Sequence, residues 1–312
     1  MAPYAGDSYS QGTGLMPSFV KAMKLIMQSK TPLFTELKES KAVQRTHTWY
    51  FDRVASPTAD NVKAEGIATV PAAPDDITEG TNYCAIYNRS YGVSGTQEAT
   101  SFKSIANYLA YQKERAMKQL AMDIEYGLTL GAGASGASAT ARQMYGLYYW
   151  AVTSSYVTAS SAATTGTYSS FATSTGEQSL NVALARQNSA SPIDEPNFML
   201  VSPLTKIMIN RWTSTNTRWI AAGEKKLVAT IGIYESSVGI IEVMMSNIVD
   251  YGMSASTANI LGGNLDTLYL AWLRRPFSEP LAKTGDYTAF QCVAEGTLEA
   301  RNPYAFFSLI LS

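Results

Sequence analysis

The sequence predicts an α+β subunit built along one long helix, and three features of the chain predict it. From Gln97 to Leu130 a single apolar stripe recurs at helical spacing, with no Gly or Pro before Gly127. Ahead of it, Thr46 to Val54 and Asn82 to Ser94 alternate in character with period two, as strands do. Behind it, helical and short apolar segments alternate up to Gly263, and residues 264–312 are mainly β.

The long helix rests on Phe102, Ile105, Leu109, Ala116, Leu120, Ile124 and Leu128, at steps of three, four and seven. Its other side carries Lys103, Asn107, Glu114, Lys118 and Glu125, with Glu114 and Lys118 in the favourable i,i+4 order. Ser94 or Thr96 supplies an N-cap, Glu98 suits the positive end, and Gly131 with Gly133 supplies the stop. At 1.5 Å per residue such a helix is about 50 Å long, a beam for an extended subunit. Lys113 interrupts the stripe, so the packing must change along its length.

In chain order, Met1 to Gly14 is a Gly/Ser/Tyr-rich arm and Pro17 to Gln28 a short helix. The two strands that follow are joined through the Pro/Ala/Asp/Gly-rich stretch Ala55 to Thr81, too long for a tight hairpin, so they form a projecting two-stranded arm. A low-complexity Ala/Ser/Thr/Gly/Tyr tract, Gly131 to Ser174, is broken only by the bulky Met144 to Trp150. Glu177 to Gln187 is a helix, Phe198 to Val201 a buried strand, and Ser202-Pro203 opens a helix through Trp212 with Ser as cap and Pro at the first turn. Val238 to Met245 is a strand. Four strands close the chain: Thr267 to Leu273, Ala289 to Glu295, Thr297 to Arg301 and Tyr304 to Leu311. The loop Pro276 to Asp286 contains a turn at which Gly285 is expected to take a positive φ.

Composition removes several function classes. With 24 Lys plus Arg against 25 Asp plus Glu, the net charge is −1, which argues against binding nucleic acid or a membrane surface through bulk charge. The charged fraction is 16%, below that of ordinary soluble domains, and 19 tyrosines give an uncharged surface of the kind subunit interfaces use. No apolar run is long enough to span a bilayer, and the first residues have no secretory pattern. Cys84 and Cys292 match no metal spacing and suit buried thiols in a reducing compartment.

Chemical motifs are sparse. His47, the one histidine, alternates among aromatics in a strand and suits a structural role. Asp123 and Glu125 face different ways on a helix, and Asp75, Asp76 and Glu79 suit a solvated loop tip. The strongest enzymatic reading is a Ser-Lys acyl transferase, from Ser18-Phe19-Val20-Lys21, Ser179-Leu180-Asn181 and Lys283-Thr284-Gly285, but these patterns are short in a Ser-rich chain. No phosphate or dinucleotide loop is present and no cofactor is called for.

Several blocks, taken together and in order, resemble the major head protein family typified by phage SU10. They are Thr31-Pro32-Leu33-Phe34; Tyr91 to Ala99 ahead of the long helix; Asp123 to Tyr126; Arg142 to Leu147; Leu281 to Asp286; and Glu295 to Asn302. The resemblance implies an HK97-type fold: an arm (1–44), an extended loop (45–94), a peripheral domain with its spine helix (95–147), an axial α/β domain (148–263) and a return to the peripheral domain (264–312). It implies a structural, non-enzymatic subunit of a tailed-phage head in the virion, assembled in the host cytoplasm as hexamers and pentamers of itself. Portal, scaffolding and decoration proteins are the further partners it implies, with double-stranded DNA enclosed but not gripped and no membrane. An encapsulin-like compartment is the other shell-forming reading. The candidate inter-subunit contacts are Lys63 and Glu65 in the extended loop, and Arg274, Arg275, Lys283 and Asp286 on the terminal sheet. No motif identifies a cross-linking partner for Lys63, which suits a solvated loop lysine.

Overall fold

The computed structural model describes residues 30–54, 57–66, 77–100, 107–137, 140–153, 164–166, 174–212, 232–236, 238–250, 258–283 and 285–311. The predicted helix Pro17 to Gln28, along with Phe102 and Ile105, lies outside them. In chain order, α1 (Pro32–Glu36) and β1 (Lys38–Lys41) precede β2 (Thr46–Phe51), β3 (Thr78–Tyr83) and β4 (Ala85–Ser94). Next come α2 (Gly95–Ala99), α3 (Tyr108–Leu130), β5 (Ala132–Ala134), β6 (Gln143–Tyr145) and β7 (Thr164–Gly166). The second half holds α4 (Ser174–Ala190), β8 (Phe198–Val201), α5 (Pro203–Trp212), β9 (Ile233–Glu235), β10 (Ile240–Met245) and β11 (Ala258–Gly263). The chain closes with β12 (Leu268–Pro280), β13 (Tyr287–Ala300) and β14 (Phe306–Leu311).

The long helix is shorter than its periodicity predicts. α2, capped by Ser94 Oγ accepting from the Gln97 N–H at 3.2 Å, ends at Thr100 in extended conformation. Asn107 then starts α3 afresh, its Oδ1 accepting from the Ala110 N–H at 3.0 Å. An Asn counted on the polar face is instead an N-cap, because its short side chain competes for free backbone N–H groups. α3 has 23 residues, about 35 Å of beam. Ala116, Leu120, Ile124 and Leu128 are buried as the stripe requires, and Lys113 meets the sheet through its ammonium, 5.6 Å from the centre of the Phe290 ring.

The sheet beneath α3 has the order β1-β12-β13-β4. β13 pairs with β12 on one side and β4 on the other, and it runs unbroken where two strands are predicted. The reason is Gly296: a Cβ there would stand 2.8 Å from Trp272 Cε3, so the indole occupies the space a side chain would take and the ladder continues. β12 runs on past Leu273 through Pro276 to Pro280. It tolerates both prolines because β1 covers only Tyr269 to Trp272 and the register shifts between Trp272 and Phe277.

A six-stranded sheet follows, ordered β7-β14-β11-β8-β10-β9. One face packs Met199, Val201, Ile241 and Val243 against Leu180 and Leu184 of α4 and Met208, Ile209 and Trp212 of α5. The other face turns Phe198, Leu200, Met244, Leu261 and Phe306 into the core that holds α3 and the first sheet. β8 is buried on both faces, which explains its continuous apolar run. β14 pairs with β11, so the chain's end joins this second sheet. β2 and β3 pair antiparallel from Thr46↔Tyr83 to Phe51↔Thr78, so the first expected strand finds its partner mostly within the stretch expected as connection. The second, Asn82 to Ser94, leaves β2 after Tyr83 and joins the first sheet as β4, because β13 offers it a ten-residue ladder.

Candidate functional site

The residues singled out from the sequence fall at three places. Lys63 and Glu65 are exposed in the loop after the 3-10 turn Ala59–Asn61. Arg274 and Arg275 lie on the stretch of β12 that β1 leaves uncovered. Each has a partner within the chain: Arg274 Nε meets Glu295 Oε2 at 2.8 Å, and Arg275 pairs with Glu39. Lys283 and Asp286 are exposed at the tip between β12 and β13. The Asp286 carbonyl accepts from the Gly95 N–H at 3.1 Å, tying this tip to the start of α2. Gly285 does not take a positive φ, so that expectation is corrected. A Cβ there would meet only the Tyr287 ring at 3.3 Å, because the turn closes through the Tyr287 N–H to the Gly285 carbonyl at 2.8 Å instead.

Two carboxylates that sequence reading left as family blocks organise the buried charge. Glu295 and Glu299 lie four apart on β13 and share a face. Glu295 receives Arg142 from the β5–β6 connection at 2.6 Å as well as Arg274. Glu299 accepts from Ser40 Oγ at 2.7 Å and Arg301 Nε at 2.8 Å, with His47 Nε2 at 3.2 Å. Burial alone would raise the Glu299 carboxyl, but the hydrogen bonds from His47, Ser40 and Arg301 outweigh it and hold it at about 2. A carboxylate depressed in the fold stabilises it fully above its unfolded value near 4.5, and that share fades as pH falls toward 2. Glu299→Gln is therefore expected to flatten the acid limb of stability between pH 4.5 and 2, where the wild type loses up to about 1.4 kcal/mol per pH unit. Denaturant unfolding at stepped pH checks this, and an unchanged acid limb rejects it.

These groups do not make a catalytic relay. A nucleophile needs a base between itself and the orienting acid, whereas here Glu299 stands between Ser40 and His47. The acyl-transferase residues do not form one described cluster either: Ser18 lies outside the described residues, Ser179 sits on α4, and Lys283 is exposed at the β12–β13 tip. The Cys84 thiol is buried, donates to the Gln44 carbonyl and is pushed up to about 11 by burial, which makes it a poor nucleophile. A cavity of about 610 Å³ lies between Phe51–Val54, Ser189–Asp194 and the Arg301–Tyr304 turn. In its wall Asn302 donates to Ser191 and Asp194 and Arg53 stacks 4.6 Å from the Tyr304 centroid, while Arg301 turns to Glu299 and stacks 3.6 Å from the ring centroid of Tyr269 outside the cavity. Among the described residues no group of His, Cys, Asp and Glu has metal-ligand geometry, and no helix is long and apolar enough to cross a membrane.

The family model described as "SU10 major capsid protein" matches residues 4–311. The chain belongs to the SU10 major capsid protein family. It is the structural major capsid subunit of a phage head, a component of the virion shell built from many copies of the same protein. Solved structures share the fold at low identity. The capsid of a native GTA particle, computed with C5 symmetry, is 10% identical with a TM-score of 0.69, covering 100% of both chains. Microbacterium phage Oxtober96 gives 11%, a TM-score of 0.65 and coverage of 98% and 99%. Gordonia phage Cozz gives 14%, 0.60, and 99% and 97%. No sequence among curated proteins matches this capsid subunit. The α+β, HK97-like architecture expected from the sequence is therefore the fold of the chain.

Proposed function

We propose that this subunit builds the icosahedral or prolate head of a tailed double-stranded DNA phage, assembled in the host cytoplasm, with no catalytic role of its own. The family match over residues 4–311 carries this reading. Portal, scaffolding and decoration proteins are its further partners. Residues 1–44 serve as an arm, 45–94 as an extended loop rooted through β4 in the first sheet, 95–147 and 264–312 as the peripheral domain, and 148–263 as the axial domain. The pairing of β2 with β3 along its length supports the projecting loop, and β14 stitches the last segment into the axial sheet. The genome is enclosed rather than gripped, in keeping with a net charge of −1.

Contacts between copies use Lys63, Glu65, Arg275, Lys283 and Asp286, with Arg274 acting through its exposed flank. Their exposure on three separate features supports this. Exposed ion pairs contribute about 0–1 kcal/mol each, so apolar contact must supply more. The axial lobe offers it on opposite sides. Leu204 and Ile207 protrude from the outer face of α5, while Ile233 and Ile240 stand on the sheet face away from the helices. Two such faces on opposite sides cannot meet within one chain, but they fit a head-to-tail ring of copies.

Electron microscopy of purified particles with nuclease treatment tests the proposal. Closed shells holding protected double-stranded DNA are expected, and shells filled with an enzyme instead would overturn it in favour of a protein compartment. In the same assay Ile240→Glu is expected to reduce particle yield at least tenfold while the dissociated subunit keeps its wild-type circular dichroism. Normal yield would remove the β9–β10 face from the contact.

A further inference from the structure

Glu125 breaks the pattern of the helix that carries it. It belongs by spacing to the polar side of α3, yet it is completely buried. Its carboxylate accepts from the Leu33 N–H at 3.0 Å and the Phe34 N–H at 2.6 Å, two of the N–H groups at the start of α1 that have no partner inside that helix. Leu33 is itself fully buried, and the Phe34 ring meets Trp272 edge-on at 6.3 Å. This one carboxylate thus fastens the start of α1 to α3. Thr129, one turn further along α3 and also fully buried, has a hydroxyl with no hydrogen-bond partner among the described residues.

We propose that Glu125 is a proton-operated latch that fixes α1 to α3 in mild acid and releases it as pH rises through neutrality. The docked geometry removes the carboxyl from water and, among the described residues, gives it two N–H donors and no cation. Burial raises it to about 7, with the Phe34 and Leu33 N–H groups only partly opposing. Titratable and charged residues on the elements packed against α3 include Glu36 on α1, Lys118, Asp123 and Tyr126 on α3 itself, Tyr87, Arg89 and Tyr91 on β4, Tyr145 on β6, and Cys292, Glu295 and Glu299 on β13. None is a cause of its shift. Asp123 is tied to Arg89 and Glu295 to Arg142 and Arg274.

The sign follows from linkage. Undocked, the carboxyl returns toward its ordinary value of 4.5, so the docked state holds the proton more tightly. Docking is favoured most below about 4.5, and the preference is lost as pH rises through about 7, by up to tenfold per pH unit between. The latch joins α1 to α3 within one subunit, so it stands apart from the contacts proposed above.

Hydrogen exchange read by mass spectrometry on the dissociated full-length subunit tests it, with α4 as an internal control. After correction for the intrinsic rate, the opening of residues 33–37 is expected to rise at least tenfold from pH 5 to pH 7 while α4 stays level. Glu125→Gln, which has no proton to exchange over this range, is expected to abolish that dependence. A flat wild-type profile overturns the latch, and so does a slope that survives in Glu125→Gln. The wild-type series decides the matter even where the variant fails to fold.

Discussion

Asn82→Asp is expected to lower the unfolding free energy of the subunit by about 3–5 kcal/mol, although it changes a single atom group. Asn82 is completely buried and uses its whole amide. The NH₂ group donates to the Tyr145 carbonyl at 3.0 Å and the Leu298 carbonyl at 2.7 Å. The oxygen accepts from the N–H groups of Tyr83 and Tyr145, both at 2.8 Å. One side chain therefore joins β3, β6 and β13. An aspartate would turn acceptor oxygens toward two carbonyls, leaving both unsatisfied in a dry site where each orphan costs about 1–3 kcal/mol. Protonation relieves one of the two clashes, so the deficit should shrink as the buffer is made acid. Denaturant unfolding of the dissociated subunit measures the loss, and a deficit under about 1 kcal/mol would show that water reaches the site.

The second large effect is expected at Gly146. Its backbone crosses the end of α3, where the Gly146 N–H donates to the Gly131 carbonyl at 2.9 Å and the Gly131 N–H to that of Gly127 at 3.0 Å. A Cβ at Gly146 would stand 2.6 Å from Gly131 N, 2.7 Å from Gly127 O and 3.0 Å from Leu128 O. All three are backbone atoms of a helix terminus whose carbonyls need their partners, so none can step aside as a flexible side chain would. Gly146→Ala should therefore separate β6 from α3 and cost about 3 kcal/mol or more, near the upper range for point changes. Thermal unfolding and soluble yield report it. A near-normal variant would mean that the crossing relaxes, and Gly92→Ala, whose Cβ would first meet the Tyr287 ring at 3.4 Å, is the control expected to be mild.

Both sites were invisible to local pattern, and the reason is shared. Asn82 reads as one polar residue of an alternating strand, and Gly146 as a gap between bulky residues. The carbonyls that Asn82 joins lie 63 and 216 residues away along the chain, and Gly146 closes on the end of α3 at Gly127 and Gly131. Glu295 and Glu299 were present in a recognisable block, but two strands were assigned where one exists. Only the seating of Trp272 against Gly296 joins them. The contact residues divide in the same way: exposure of Lys283 and Glu65 follows from turn composition, whereas the partners of Arg274 and Arg275 depend on which strands lie beside β12.

Periodicity and turn chemistry were enough for the elements whose causes are local. The buried stripe Ala116, Leu120, Ile124, Leu128 is there, as are β8 from Phe198 to Val201 and α5 from Pro203 to Trp212. Ser202 caps α5 as expected, its Oγ accepting from the Thr205 N–H at 3.2 Å. In each case the interaction that forms the element lies within a turn or a strand of the residues that signal it. Chain-distant pairing decided the single run of β13, the joining of β14 to the second sheet, and the burial of Glu125. A carboxylate four residues before Thr129 reads as solvent-facing until two N–H groups 91 and 92 residues away arrive to hold it. Those N–H groups are free only because α1 begins there, and nothing near Glu125 in the chain encodes that beginning.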